Sequence, residues 1–249
     1  MNTTDKKTEL ALVLPIYNEE DQLAWSVGEL CKYADKELGD YDWRVIVGDN
    51  ASTDRSPEIY AGLEKENPRI GHVRLEQKGR GRMLKKIWLE EPFDVSMYMD
   101  VDLSTSLDHI KPCVDAIAHK GYDIASGSRL KKGAKVVGRS LKREITSRGY
   151  IFLIKAIAWS RLSDYQCGFK AISKTAAKKL LPLVQDTTWF FDSELLLIAE
   201  KSGFRIYEEP VYWKDDPGTT VNVVSTAKDD IKGLARVIRT RPWKQLRNK

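Results

Sequence analysis

The feature that most constrains this chain is an alternation: short apolar runs take turns with longer segments of helical period. Residues 10–15 (LALVLP) read as a buried strand and 19–38 as a helix. Residues 43–48 (WRVIVG) predict a second strand, and 57–65 a helix with Pro57 in its first turn. Strands at 70–75, 94–99 and 122–126 then alternate with helices at 82–90 and 106–120. Such βαβ alternation implies a mainly parallel twisted sheet flanked by helices on both faces. Ligands of such sheets bind beyond the carboxyl ends of the strands.

The pattern changes after Ser128. A Lys/Gly-rich loop at 130–138 leads into a long helical segment at 141–161. A strand at 167–172, helices at 174–181 and 192–201, a strand at 205–213 and a basic amphipathic helix at 226–238 complete the reading. No repeat or low-complexity linker divides the 249 residues, so one domain spanning 1–249 is expected.

Charge is unevenly placed. The net +5 conceals a local +7 in residues 129–148 and +6 in 228–249, which leaves the remainder at −8. An acidic body with two basic segments suits an anionic partner at particular places. The three cysteines, Cys31, Cys113 and Cys167, are scattered, which argues against a disulfide framework or zinc knuckle and suits a reducing cytosol. The longest nearly apolar run, 150–159, falls short of the roughly 20 residues of a bilayer span. The first ten residues hold no signal-peptide run. A chain that meets a membrane only peripherally, at its cytoplasmic face, is the expectation.

Each early strand runs into polar residues. The first meets Pro15-Ile16-Tyr17-Asn18-Glu19, the second Asp49-Asn50, and the fourth Asp100-Val101-Asp102-Leu103-Ser104. At an extended strand end, residues i and i+2 point the same way, so Asp100 and Asp102 offer hard oxygens on one side. That pair suits Mg²⁺ or Mn²⁺, which fills its shell with diphosphate oxygens. A lone pair of this spacing is common in solvated turns; its place after a buried strand, with Asp49 after another, argues for function. Asp49 either accepts from a nucleobase N–H or caps a turn with Ser52 and Thr53. Gly79-Arg80-Gly81-Arg82 is a basic turn ahead of a helix, suited to phosphate or simply to turning.

These residues resemble family 2 glycosyltransferases of the glycosyltransferase-A fold, and within them the dolichyl- and polyprenyl-phosphate hexose synthases, especially the dolichyl-phosphate glucosyltransferase branch. The resemblance spans residues 9–240. It rests on LPIYNEE, VGDNASTD, KGRGRML and DVDLS, then on Gly127-Ser128-Arg129, RSLKREITSR (139–148), DYQCGFK (164–170), FDSELLLI (191–198) and EPVYWKDDPGTTVNV (209–223). It implies inverting transfer of one hexose, glucose or mannose, from a UDP- or GDP-sugar to a polyprenyl or dolichyl phosphate, as used in protein glycosylation. Residues 9–128 would hold the nucleotide-sugar, 129–225 the acceptor, and 226–249 form a basic tail. Pro15, Tyr17, Glu19 and Asp49 would hold the nucleoside, with Arg80 on the donor. Asp100 and Asp102 would bear on metal and diphosphate, with Ser104 at the third position, where some relatives place a Gln. Arg129, Arg139, Arg143 and Ser147 would hold the acceptor phosphate. Departures include Asp49-Asn50-Ala51 where paired acids and Gly-Ser are common, Arg80 where Lys is usual, and Thr219-Thr220 where Ser-Lys is usual.

Arg139, Arg143 and Ser147 are spaced by four and form one helix face. Ile145, Gly149, Phe152, Ala156 and Trp159 form a separate apolar stripe, for the core or for lipid tails. At the C-terminus, Ile231, Leu234, Val237 and Ile238, with Trp243 beyond, form a strip among basic residues. It serves either as an interfacial anchor or as a face docked on the body. A lipid phosphate is already anionic, so no general base is needed. A glycan-hydroxyl acceptor would instead require one, with Asp164 or Asp192 as candidates. A nucleic-acid binder is the third reading; the acidic body argues against it, and no nucleic-acid partner is expected.

Overall fold

The computed structural model describes residues 6–138, 141–214 and 223–247; the side chains of 141–143, 223–227 and 247 lie outside the description. In chain order its elements are β1 (Thr8–Ile16), α1 (Leu23–Glu37), β2 (Tyr41–Asp49), α2 (Ser56–Glu66), β3 (Ile70–Arg74), α3 (Arg80–Glu90), β4 (Val95–Met99), α4 (Ile110–Ala118) and β5 (Ile124–Ser128). There follow β6 (Lys135–Val137), α5 (Leu141–Ala158), β7 (Phe169–Ser173), α6 (Lys174–Leu180), α7 (Phe191–Lys201), β8 (Ile206–Pro210), β9 (Tyr212–Lys214), α8 (Val223–Thr240) and α9 (Lys244–Arg247).

Seven strands form one sheet in the order β3-β2-β1-β4-β7-β5-β8. All pairings are parallel except those of β7, which runs antiparallel to both β4 and β5. Apolar runs encode burial but not direction, so this reversal was not legible in the pattern. β1 shows why the sheet is covered on both faces. Leu10, Leu12, Leu14 and Ile16 pack in one cluster with Leu23, Val27 and Leu30 of α1 and Val114 of α4. Ala11 and Val13 join the opposite cluster with Met83 and Leu84 of α3 and Leu195 of α7. Truncating a fully buried side chain such as Leu12 to Ala would cost about 2–5 kcal/mol.

Three expectations need correcting. The loop expected over 130–138 contains β6, and the strand expected over 205–213 divides into β8 and β9. β6 and β9 pair in parallel as a separate two-stranded sheet. The Lys and Gly content hid the β-branched Val136-Val137, whose partner lies some 75 positions along the chain. Helix α1 also starts at Leu23 and not Glu19, because residues 19–22 form a turn.

Candidate active site

The parallel register sets the ends of β1 and β2 side by side, with Ile16 opposite Asp49. The Asp49 side chain is fully buried. Its Oδ1 accepts the Ser52 N–H at 2.8 Å, and its Oδ2 accepts Arg74 Nη1 at 2.6 Å and the Tyr60 hydroxyl at 3.3 Å. Arg74 stands opposite Asp49 in the β2–β3 register. Sequence reasoning passed over it, although a cation closing a strand beside an acid-ended strand was there to be read.

The loop after β1 is stitched to the loop after β2. Asn18 N–H donates to Ser52 Oγ at 3.0 Å, Asn18 Oδ1 accepts the Thr53 N–H at 2.8 Å, and the Glu19 N–H donates to Ser56 Oγ at 3.1 Å. Pro15, Tyr17, Glu19 and Asp49 therefore share one edge. Lys78 places its ammonium 3.4 Å from the centre of the Tyr17 ring, a cation–π contact.

Asp100 follows β4 directly. Its N–H donates to the Gly168 carbonyl at 3.1 Å, and its side chain is 41% exposed at the floor of this edge. Arg80, from the first turn of α3, sets Nη2 2.9 Å from Asp100 Oδ1. The Arg80 guanidinium carbon lies 5.0 Å from the centre of the Tyr98 ring and 5.2 Å from the centre of the Trp189 ring. Its Nε and Nη2 make no directed hydrogen bond among the described residues, so the short approach to Asp100 is an ion pair without good donor geometry. Desolvation by the surrounding protein raises the Asp100 carboxyl from its ordinary value; Arg80 opposes this, while Asp102 and Asp192 add to it.

Asp102 folds back so that Oδ1 accepts the Ser104 N–H at 2.9 Å, and Leu103 between them has φ 49°. Ser104 is nearly buried, and its carbonyl accepts the Lys214 N–H at 2.8 Å. Among the described residues no group of three or more His, Cys, Asp or Glu converges as a metal cage. Two adjacent carboxylates with open coordination still fit a hard divalent cation that takes further oxygens from substrate phosphates.

A buried network underlies this floor. Tyr98 donates its hydroxyl to Asp192 Oδ1 at 2.6 Å, and the same oxygen lies 3.5 Å from the ammonium of fully buried Lys170. Lys170 also donates to the Cys167 carbonyl. The sequence held Lys170 within a recognised motif, but only the fold shows that it is the counter-ion of Asp192.

Arg129, just past β5, is gripped by Asp164. Nε donates to Oδ2 at 2.8 Å, Nη2 to Oδ1 at 3.0 Å, and the Arg129 N–H to Oδ2 at 3.1 Å. Its guanidinium carbon lies 5.6 Å from the centre of a Trp213 ring. Burial by itself would raise the Asp164 carboxyl; the Arg129 charge and hydrogen bonds, with the Gln166 N–H, hold it down to about 2. Arg129 and Asp100 are near enough that each charge acts on the other's titration. Glu194 is held elsewhere: it accepts the N–H groups of Gln185 and Asp186 and Arg236 Nη2 of α8 at 2.9 Å.

Arg139 and the Arg143 side chain lie outside the described residues, as do Thr219 and Thr220. Ser147 is a partly buried member of α5. Of the two readings of the C-terminal strip, the structure favours the docked face. Leu234, Val237 and Trp243 are buried in the core, so α8 uses that face to dock on the body, while Ile231 is exposed. No helix among the described residues is long and apolar enough to cross a membrane.

The family model described as Glycosyl transferase family 2 matches residues 11–181, more than half of the chain. The chain belongs to glycosyl transferase family 2. It is a glycosyltransferase, as the sequence motifs led us to expect. Among its relatives, the glycosyltransferase AglD of Haloferax volcanii is 35% identical over 240 residues, 96% of this chain but 37% of AglD. The dolichyl-phosphate beta-glucosyltransferase of Saccharomyces cerevisiae is 22% identical, covering 90% of this chain and 74% of that protein. A solved structure of glucosyl-3-phosphoglycerate synthase from Mycobacterium tuberculosis, in complex with Mn²⁺, UDP and glucosyl-3-phosphoglycerate, superposes with a TM-score of 0.66 at 17% identity. It covers 92% of this chain and 78% of that one. That likeness shows the fold, a mostly parallel sheet flanked by helices.

Proposed function

We propose that this family 2 enzyme moves a hexose from a nucleotide-sugar to the phosphate of a polyprenyl or dolichyl lipid, with inversion at the anomeric carbon. The observation that carries this reading is the Arg129–Asp164 pair beside Asp100. A clamped guanidinium, the natural seat of a phosphate, stands next to the carboxylates expected at a donor diphosphate.

Pro15, Tyr17 and Glu19 line the nucleoside end, with Asp49 buried behind them, where it caps the Ser52 turn and fixes Arg74. Arg80, ion-paired with Asp100, adds positive charge beneath the diphosphate, and Arg129 orients the acceptor phosphate, with Arg139, Arg143 and Ser147 as further holders. Asp100 and Asp102, with Ser104, would hold Mg²⁺ or Mn²⁺; when bound, the cation supplies neutralising charge for the departing diphosphate. An acceptor phosphate oxygen forms the new bond to the anomeric carbon. The bond to the diphosphate oxygen breaks, and the nucleoside diphosphate leaves with the electron pair. The phosphate is already anionic, so the protein's contribution is positioning and charge neutralisation.

The state of the two candidate bases supports this over a hydroxyl acceptor. Asp164 is committed to Arg129 and held near 2, and Asp192 is buried against Tyr98 and Lys170. The names of the relatives favour glucose as the sugar, and the UDP of the solved neighbour favours a uridine donor.

Labelled UDP-glucose, UDP-N-acetylglucosamine, GDP-mannose and UDP-galactose, each offered to a short polyprenyl phosphate and to a glycan acceptor, test the proposal. A labelled lipid phosphate from one donor is the expected result. Product on the glycan alone would overturn it.

A further inference from the structure

Helix α5 is apolar on two sides, and one of them faces solvent. Ile151, Ile154 and Ala158 are buried in the core. At about 100° per residue, Ile154 lies roughly half a turn round the helix from Ile145. On that outer side Ile145 is 70% exposed, Phe152 74% and Trp159 84%, with Gly149 and Ala156 between them also exposed. α5 is docked by its inner face, so the outer stripe is not a core face awaiting its place. A contiguous exposed apolar stripe of this kind marks an interaction surface.

We infer that this stripe seats the protein on an anionic lipid bilayer. Charge is the first argument. By sequence α5 carries four cations against one acid, Glu144; among the described side chains Arg148, which pairs with Glu144 at 2.6 Å, and exposed Lys155 border the stripe. On neighbouring α8, exposed Ile231 adjoins Lys232, whose ammonium lies 3.7 Å from Asp229. Apolar side chains flanked by an excess of cations match a surface of acyl chains under anionic headgroups.

Trp159 is the second argument. It stands just past the last helical residue with φ 51°, in the left-handed region that side chains with a Cβ avoid. Its N–H donates to the Lys155 carbonyl at 2.9 Å, and its own carbonyl accepts the Lys201 ammonium at 3.1 Å. The backbone is thus strained and pinned, yet the indole gains no burial from it. Strain that presents a large amphipathic ring to solvent points to use at an interface. From Trp159 the chain runs through Ser160–Ser163 into Asp164, the residue that grips Arg129. The stripe therefore leads toward the proposed phosphate seat, and this placement rests on the proposed lipid acceptor.

The test uses the full chain and a triple variant, Ile145→Ser, Phe152→Ser and Trp159→Ser. Flotation is measured with phosphatidylcholine vesicles, with and without a one-third share of phosphatidylglycerol, alongside sedimentation equilibrium and thermal melting. The unchanged protein should float with the anionic vesicles, with a blue shift of its Trp emission. The variant should keep its melting temperature and lose at least tenfold in vesicle affinity. Flotation equal in both proteins overturns the inference, as does a dimer of the parent that the variant dissolves, since a second copy would then cover the stripe. Vesicle binding is read without any donor sugar. Stripe-dependent flotation with no lipid product from any nucleotide-sugar would leave this inference standing and remove the proposed reaction. Product on a water-soluble short-chain phosphate with no stripe-dependent flotation would do the reverse.

Discussion

Gly168 lies directly behind Asp100: a methyl group on its Cα would sit 1.9 Å from Asp100 Oδ2. The glycine is required by close approach. Gly168→Ala should push the Asp100 carboxylate out of place while the backbone stays, because the half-exposed carboxylate has room to swing toward solvent. The expected result is a loss of about 10²-fold or more in kcat, with a melting temperature within a few degrees of the parent. Unchanged kcat would show that the position of Asp100 does not matter to turnover.

Among the described residues, Asp102 differs from Asp100 in being engaged by one backbone N–H and no cation. Asp102→Ala should abolish metal-dependent turnover with the fold retained. Calorimetric titration of Mn²⁺ in the presence of UDP should show at least a tenfold weaker metal affinity. Undiminished activity would remove Asp102 from the metal site.

The Arg129–Asp164 clamp separates acceptor from donor. Arg129→Lys keeps the charge but loses the two-pronged bond to Asp164. The apparent KM for polyprenyl phosphate should rise at least tenfold and that for nucleotide-sugar by less than twofold. Asp164→Asn should share this kinetic pattern and also destabilise the fold by about 3–5 kcal/mol, because it leaves a buried guanidinium uncompensated. An equal rise in both KM values for Arg129→Lys would place Arg129 on the donor.

Much of this site was legible because parallel strands deliver successive residues to one edge. Asp49, Asp100 and Arg129 could be read from strand ends and motifs before any coordinates. What was hidden depends on the third dimension. Arg74 becomes the partner of Asp49 only through the β2–β3 register, and Lys170 that of Asp192 only because β7 runs antiparallel beside β4. The apolar strips show the same limit. Periodicity found both stripes, on α5 and α8, but could not say which faces the core. The sequence leaves both open between core and lipid; in the fold the α8 strip docks and the α5 stripe faces outward.

Docking of α8 carries its own titration. Asp230 is buried beneath the helix; its Oδ2 accepts Gln166 Nε2 at 2.6 Å, and its Oδ1 has no partner among the described residues. Burial pushes its carboxyl up to about 6, with Asp186 and Asp229 adding to the rise and Gln166 opposing it. A raised carboxyl binds its proton more tightly folded than unfolded. Its contribution to stability is therefore fully present below the ordinary carboxylate value and is lost as pH rises through about 6. Asp230→Asn resembles the protonated form and still accepts from Gln166. It should flatten the fall in stability between pH 4 and pH 7 and stabilise the protein above pH 7 by about 1 kcal/mol, discounted for water reaching the site, or about 2–4 °C in melting temperature. Paired melts of parent and variant at pH 5 and pH 7.5 decide it. A difference that does not grow with pH would show that Asp230 stays ionised in the folded protein.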